Sequence, residues 1–223
     1  MSFKTNLKKL TVIPAVLMLF LTACGTGSEA YPTEADSAPL GVAPTADNSF
    51  IITLYPKIAP ITCENFESLV RSGFYDGVTF HRVIDDFMAQ GGDPEGTGMG
   101  GSGKNIKGEF AANGVTNNLS HTRGVVSMAR GSYSMDSASS QFFICYSDRD
   151  TFLDGKYAAF GKVTEGMEVV DSFLEVERVV EGDSQPSRPV QPIVMDNLTM
   201  ITADSDGNPR VQVVMRDIPK QKK

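Results

Sequence analysis

The residues whose spacing alone could do chemistry lie in a glycine-rich stretch. Gly96-Thr97-Gly98-Met99-Gly100-Gly101 fits G-x-G-x-x-G, and Gly98 to Lys104 fits G-x-x-x-x-G-K. Either pattern, if it opened a helix, would cradle phosphate with backbone N–H groups. Asn105 stands where a Ser or Thr would hold magnesium, and Gly108 follows before a helix can form. The stretch therefore reads as a surface loop. Other reactive groups are sparse. With two histidines, the chain is a poor candidate for a His-rich metal enzyme. His81 falls opposite Arg82 on a strand and reads as structural, and His121 reads as a hydrogen-bonded loop or core residue. Cys63 lies on the apolar stripe of a helix and Cys145 on a strand; both read as buried thiols. The sequence predicts neither a metal nor a cofactor.

The elements that must position any site begin at Phe50. Phe50 to Tyr55 is β-branched and aromatic, and Pro56 and Pro60 end it. Thr62 to Arg71 reads as a helix with Pro60 near its first turn and Cys63, Phe66 and Leu69 or Val70 inward, stopped by Gly73. Val78 to Val83 reads as a strand with Val78, Phe80 and Arg82 on one face and Thr79, His81 and Val83 on the other. Gly124 to Arg130, Gln141 to Tyr146 and Tyr157 to Val163 are further strands. Thr164 to Glu177 contains a second helix, with Met167, Val170 and Leu174 at helical spacing. Ile193 to Ile201 is a closing strand. Many short strands and few helices predict a mainly β barrel or sandwich.

The flanks have a different composition. Lys4, Lys8 and Lys9 precede a 14-residue apolar run, Leu10 to Ala23, too short for the ~20 residues of a membrane-crossing helix. The run ends Leu21-Thr22-Ala23-Cys24-Gly25, which resembles a bacterial lipobox. Residues 1–23 are thus expected to be a signal peptide and Cys24 a lipidated amino terminus. Residues 24–48, with Pro32, Pro39 and Pro44, four acids and no base, are expected to be a disordered tether. Residues 49–202 would form the domain, and residues 203–223 a carboxy-terminal extension, with a candidate strand at Val211 to Met215 after the Asp206-Gly207 turn.

Composition narrows the function. The 223 residues are 41 % hydrophobic with 21 Gly and 12 Pro, inside the globular range. Three cysteines do not make a disulfide scaffold. The net charge is −7, and loss of the three leader lysines takes it to −10. That balance argues against electrostatic binding of nucleic acid, which needs a basic face, and no nucleic-acid partner is expected.

Five blocks then point to one family. They are Phe80-His81-Arg82-Val83-Ile84 with Phe87-Met88-Ala89-Gln90-Gly91-Gly92-Asp93; Ser127-Met128-Ala129; Ser140-Gln141-Phe142-Phe143-Ile144; Leu153-Asp154-Gly155-Lys156-Tyr157; and Phe160-Gly161-Lys162-Val163. In this order they closely resemble the cyclophilin-type peptidyl-prolyl isomerases, over about Asn48 to Thr202. The resemblance implies a closed eight-stranded antiparallel β-barrel capped by two α-helices. It implies an enzyme that accelerates X-Pro bond rotation, with Arg82 stabilising the twisted amide and Gln90 positioning Arg82. Phe87, Met88, Phe143, Leu153 and Tyr157 would form the proline pocket, and Gln141 would lie beside Arg82. Gly98 and Ala129 match the subsite for residues before the proline. Arg130 stands where Asn is common, a position that uses its backbone carbonyl. Phe152 stands where the family often carries Trp, and Tyr157 where many members carry His. Gln141 and Phe143, two apart, share a strand face. Phe87 and Gln90 would not share one on a straight strand, so the chain must bend between them.

With the leader, the reading is a monomeric isomerase lipid-anchored on the extracytoplasmic face of a bacterial membrane. Its partners would be proline-containing segments of exported proteins. A different class is a binding module, the same fold acting as a holdase with little turnover.

Overall fold

The computed structural model describes residues 44–218. The expected leader at residues 1–23, the expected lipidation site Cys24 and residues 25–43 of the expected tether lie outside them. The tether is also shorter than expected at its far end. Thr45 to Asn48 form a turn, with Asn48 N–H donating to the Thr45 carbonyl at 3.3 Å and Thr45 N–H to Asn48 Oδ1 at 2.6 Å.

Among the described residues ten strands follow in chain order: β1 (Ser49–Leu54), β2 (Thr79–Ile84), β3 (Met88–Asp93), β4 (Val125–Met128), β5 (Phe142–Cys145), β6 (Ala159–Glu165), β7 (Arg178–Val179), β8 (Arg188–Pro189), β9 (Ile193–Ile201) and β10 (Arg210–Met215). Eight of them close an antiparallel barrel in the order β1-β10-β9-β2-β3-β5-β4-β6, with β6 returning to β1. The short strands β7 and β8 make a separate hairpin.

The barrel does not end at residue 202. Strand β10, placed by expectation in an extension, pairs with β1 from Ser49↔Val214 to Thr53↔Arg210 and with β9 on its other side. Val211, Val213 and Met215 are fully buried. The domain boundary drawn at Thr202 therefore cuts through the wall of the sheet.

Two α-helices of the described residues pack on the barrel. Helix α1 (Pro60–Arg71) starts with proline, whose missing N–H is no loss in a first turn. Its exposed N–H groups are satisfied from afar: buried Glu109 accepts from Ile61 and Thr62 N–H at 3.1 and 2.8 Å. The buried face is Thr62, Cys63, Phe66 and Val70. Phe66 lies 5.1 to 5.4 Å from the rings of Tyr75, Phe142 and Phe160, which ties the helix to the barrel core. Helix α2 (Met167–Asp171) is short and tightens into a 3-10 turn at Ser172–Glu175. It buries Val169 and Val170, and Phe173 of the turn meets Phe80 at 4.9 Å.

Two local irregularities re-aim side chains. Against β3, Phe80 pairs with Gly91 but Arg82 with Gln90, so His81 is an extra residue, a β-bulge. The bulge breaks the expected alternation. Phe80 and Val83 both join the barrel core, while Arg82 faces away from it. Strand β3 itself was hidden by its composition, Met88-Ala89-Gln90-Gly91-Gly92-Asp93. Gly92 has φ +86°, and a Cβ there would lie 2.5 Å from the Ser140 carbonyl. Only glycine lets β3 run this close to the segment entering β5.

Candidate functional site

The site lies on the outer face of β2, β3, β5 and their connections, away from the barrel core. A second apolar cluster gathers there: Ile84, Met88, Phe143, Cys145 and Leu153 are buried, with Phe87, Ala129 and Tyr157 packed against them. The turn before β3 sets Phe87, which accepts from Tyr146 N–H at 2.7 Å. The bend required between Phe87 and Gln90 is thus supplied by the turn at 85–87, where Asp86 takes φ +56°. Tyr157 stands edge-on to Phe143 at 5.9 Å. Phe152 does not join the cluster. It lies at the rim, 58 % exposed, and stacks on Phe87 at 5.8 Å.

Arg82 borders this apolar cluster. Its Nη1 donates to Gln90 Oε1 at 3.2 Å; Gln90 Nε2 donates to Gln141 Oε1 at 2.8 Å; Gln141 Nε2 donates to the Gly100 carbonyl at 2.8 Å. A polar chain therefore crosses from β2 to the glycine loop, and each amide is oriented at both ends. The other edge of the guanidinium is held by Asp183, through Nε at 2.8 Å and Nη2 at 2.6 Å. Nothing in the sequence pointed to Asp183, which lies 101 residues from Arg82 in a segment without periodicity.

Beyond Gln90 and Gln141 a cleft of about 360 Å³ opens, lined by Gly98, Gly100, Ala129 and Arg130 among others. The glycine loop that forms one side is not a phosphate cradle. Its N–H groups point inward: Asp93 accepts from Glu95, Thr97, Gly98 and Gly100 at 2.6 to 3.1 Å. Against the cost of burial, these donors hold the Asp93 carboxyl below the usual range. His81 lies behind Gly98; both its ring nitrogens are buried without a hydrogen-bond partner, and burial lowers its pKa.

The Arg130 side chain makes contacts of its own. Its guanidinium lies over Tyr157 at 4.9 Å and Phe110 at 5.3 Å, and Nε donates to the Lys156 carbonyl at 3.0 Å. It braces the Tyr157 wall from outside the apolar cluster.

Behind Phe143 lies an arrangement with the geometry of a hydrolytic triad. His121 Nδ1 is 2.7 Å from Asp154 Oδ1, and its Nε2 is 2.9 Å from Ser127 Oγ. Ser127 is fully buried, so its hydroxyl cannot reach a substrate. Burial lowers the His121 pKa, outweighing the Asp154 hydrogen bond that would raise it. The neutral ring thus donates from Nδ1 to Asp154 and accepts from Ser127. It stacks behind Phe143 at 6.0 Å, as a brace for the pocket wall. Cys63 and Cys145 are buried free thiols; burial pushes Cys63 up to about 12 and Cys145 upward as well, which makes both poor nucleophiles.

Comparison with known proteins agrees with this architecture. The family model described as cyclophilin type peptidyl-prolyl cis-trans isomerase/CLD matches residues 42–200. A peptidyl-prolyl cis-trans isomerase-like 1 of Rhizopus delemar is 48 % identical over 127 residues, 56 % of this chain and 74 % of the relative. Peptidyl-prolyl cis-trans isomerase B of Bacillus subtilis is 48 % identical over 121 residues, 54 % of this chain and 80 % of the relative. A cyclophilin-type isomerase of Cryptosporidium parvum, crystallised in the presence of the dipeptide Ala-Pro, superposes with a TM-score of 0.58 at 28 % identity, covering 76 % of this chain and 99 % of that one. Likeness of this breadth, in sequence and in barrel, makes the chain a member of the cyclophilin-type peptidyl-prolyl cis-trans isomerase family and an enzyme of that class.

Proposed function

We propose that the enzyme rotates X-Pro bonds in exported polypeptides, with Arg82 as its catalytic residue. The uncatalysed barrier is ~18–20 kcal/mol, because rotation breaks amide resonance. No nucleophile or metal is required to lower it. The site must hold the prolyl ring, leave the preceding carbonyl free to swing, and favour the twisted amide over the planar one. The observation that carries the reading is the juxtaposition of a held guanidinium with an apolar cluster on one wall. The ring would sit against Met88, Phe143 and Leu153, with Phe87 and Tyr157 at the sides. As the amide twists, the prolyl nitrogen becomes pyramidal and gains a lone pair that accepts a hydrogen bond. Arg82 supplies the donor, and Gln90 limits its movement. The cleft beside Gly98 and Ala129 would take the residues before proline. The likeness to a relative crystallised with Ala-Pro supports a proline-containing peptide as substrate.

The cellular setting rests on the amino-terminal sequence alone. A basic start, a short apolar run and Cys24 after Ala23 support export and lipid attachment at Cys24. The enzyme would then act as a lipid-anchored monomer outside the cytoplasm.

The test is isomerisation of a proline-containing peptide by wild-type protein and Arg82→Ala. Loss of one preorganised donor costs about 100- to 1,000-fold in rate. A folded Arg82→Ala protein with near wild-type turnover would show that another group does the work. Retained peptide binding with negligible turnover in the wild type would favour a holdase.

A further inference from the structure

We propose that Asp183 is a positioning residue for Arg82, and that it determines which edge of the guanidinium faces the substrate. The inference rests on the role given to Arg82 above. A guanidinium carries five N–H donors on a long flexible stem, and carboxylate meets it best as a two-pronged fork. Asp183 forms that fork with Nε and Nη2. Gln90 takes an N–H of Nη1 from the opposite side. Two donors remain, one on Nη1 and one on Nη2. The substrate is therefore left the far end of the guanidinium, and the Nε edge is closed to it.

The supporting loop is built rather than incidental. Strands β7 and β8 bring residues 180–187 back across β2. Gly182 at φ +75° turns the chain just before Asp183. Ser187 N–H donates to the Val179 carbonyl at 3.0 Å, and Val83 N–H donates to the Ser187 carbonyl at 2.7 Å. Glu181 and Arg188 pair across the same loop. Val83 is the residue after Arg82, so the loop is pinned by main-chain contact to the strand whose side chain it orients. Asp183 is also well shielded, its side chain 18 % exposed. A contact designed to swing away for substrate would not be tied this way. A single ion pair at the protein surface, even a partly shielded one, contributes about 1 kcal/mol or less to stability. Its effect here is on orientation, which governs rate when a donor must meet a transient lone pair.

The experiment compares full-chain wild type, Asp183→Ala, Asp183→Asn and Asp183→Glu, with Arg82→Ala as reference. Folding is checked by thermal melting. Isomerisation of a proline-containing peptide gives kcat and KM separately, and nitrogen-15 NMR follows the Arg82 Nε–H. We expect the Ala and Asn variants to melt like wild type but lose about 10-fold or more in kcat, with KM changed less than about threefold. Glu should recover most of the loss by re-forming the fork. The Nε–H should exchange slowly in wild type and Asp183→Glu and quickly in the other two. Wild-type kcat in Asp183→Ala, with fast Nε–H exchange, would overturn the inference while leaving the Arg82 mechanism intact. A gain in kcat would overturn it differently, by showing that the carboxylate competes with substrate. A folded Arg82→Ala protein with full turnover would remove the Arg82 reading and this inference with it.

Discussion

Removing the last barrel strand tests the fold most directly. A chain cut after Thr202 matches the family-like core yet lacks β10. It loses Val211, Val213 and Met215, all fully buried, and nearly buried Val214. Burying each such side chain contributes about 1.5–3 kcal/mol, so together they supply about 6–12 kcal/mol as an upper estimate. The whole domain is held by about 5–15 kcal/mol. Truncation also strips the pairing from one edge of β1 and one of β9, leaving open strands that recruit other chains. We expect the truncated protein to show no cooperative thermal transition and to aggregate. Because a failed expression would be ambiguous, Met215→Ala gives a graded version. It should cost about 2–5 kcal/mol, which at about 2–4 °C per kcal/mol lowers the melting temperature by on the order of 10 °C. Circular dichroism melts of both chains are sufficient. A truncated protein that melts cooperatively within about 5 °C of the full chain would refute the argument, and β10 would then be a passenger on a barrel already closed.

Three further outcomes follow. Both histidines have pKa values lowered by burial, so the unfolded chain takes up protons first as pH falls below about 6.5. Stability should therefore be full above that point and decline toward pH 5, with a slope of at most about 1.4 kcal/mol per pH unit for each histidine; a melting temperature flat from pH 7 to 5 would contradict this. The family resemblance implies that the cyclic peptide cyclosporin would occupy the proline pocket and accept an indole N–H at the position where this chain has donor-less Phe152, so Phe152→Trp should tighten its inhibition about 5- to 150-fold with little change in turnover. Equal inhibition constants would show that this position does not meet that ligand. Cys24→Ser should leave the protein unprocessed or move it out of the membrane fraction, since each buried acyl CH₂ contributes about 0.8 kcal/mol; mature-sized Cys24→Ser protein still sedimenting with membranes would rule out the lipid anchor.

What could be read from the residues depended on how local the controlling contact was. Helix α1 was legible because its apolar stripe and its proline start lie within twelve residues. Strand β1 was legible by its β-branched run. Strand β3 was not, because two glycines erase alternation where close approach to its neighbour matters more than side-chain packing. The face of Arg82 relative to Phe80 departs from simple alternation because one extra residue at His81 shifts the register, and a bulge leaves no trace in periodicity. Pocket residues came from a resemblance, and the structure gathers Phe87, Met88, Phe143, Leu153 and Tyr157 into one cluster. Phe152 stays at its edge. The side-chain part played by Arg130 and the fork from Asp183 depend on distant pieces of chain meeting, and spacing carries no information about either.

The pairing of β1 with β10 also has a mechanical meaning. Ser49 lies opposite Val214, and Met215 N–H donates to the Asn48 carbonyl at 2.7 Å, so the chain enters and leaves the barrel side by side. A pull applied between these two points would not slide the strands past each other, which would load every ladder hydrogen bond at once. It would peel them apart one rung at a time, from Ser49 and Val214 toward Thr53 and Arg210. Each rung contributes about 1 kcal/mol net, so resistance never accumulates. The domain should yield to low force between its ends while resisting heat as a closed barrel does. The same proximity means that a short linker could join residue 215 to residue 48, and new ends could be opened in an exposed loop without rerouting a single strand.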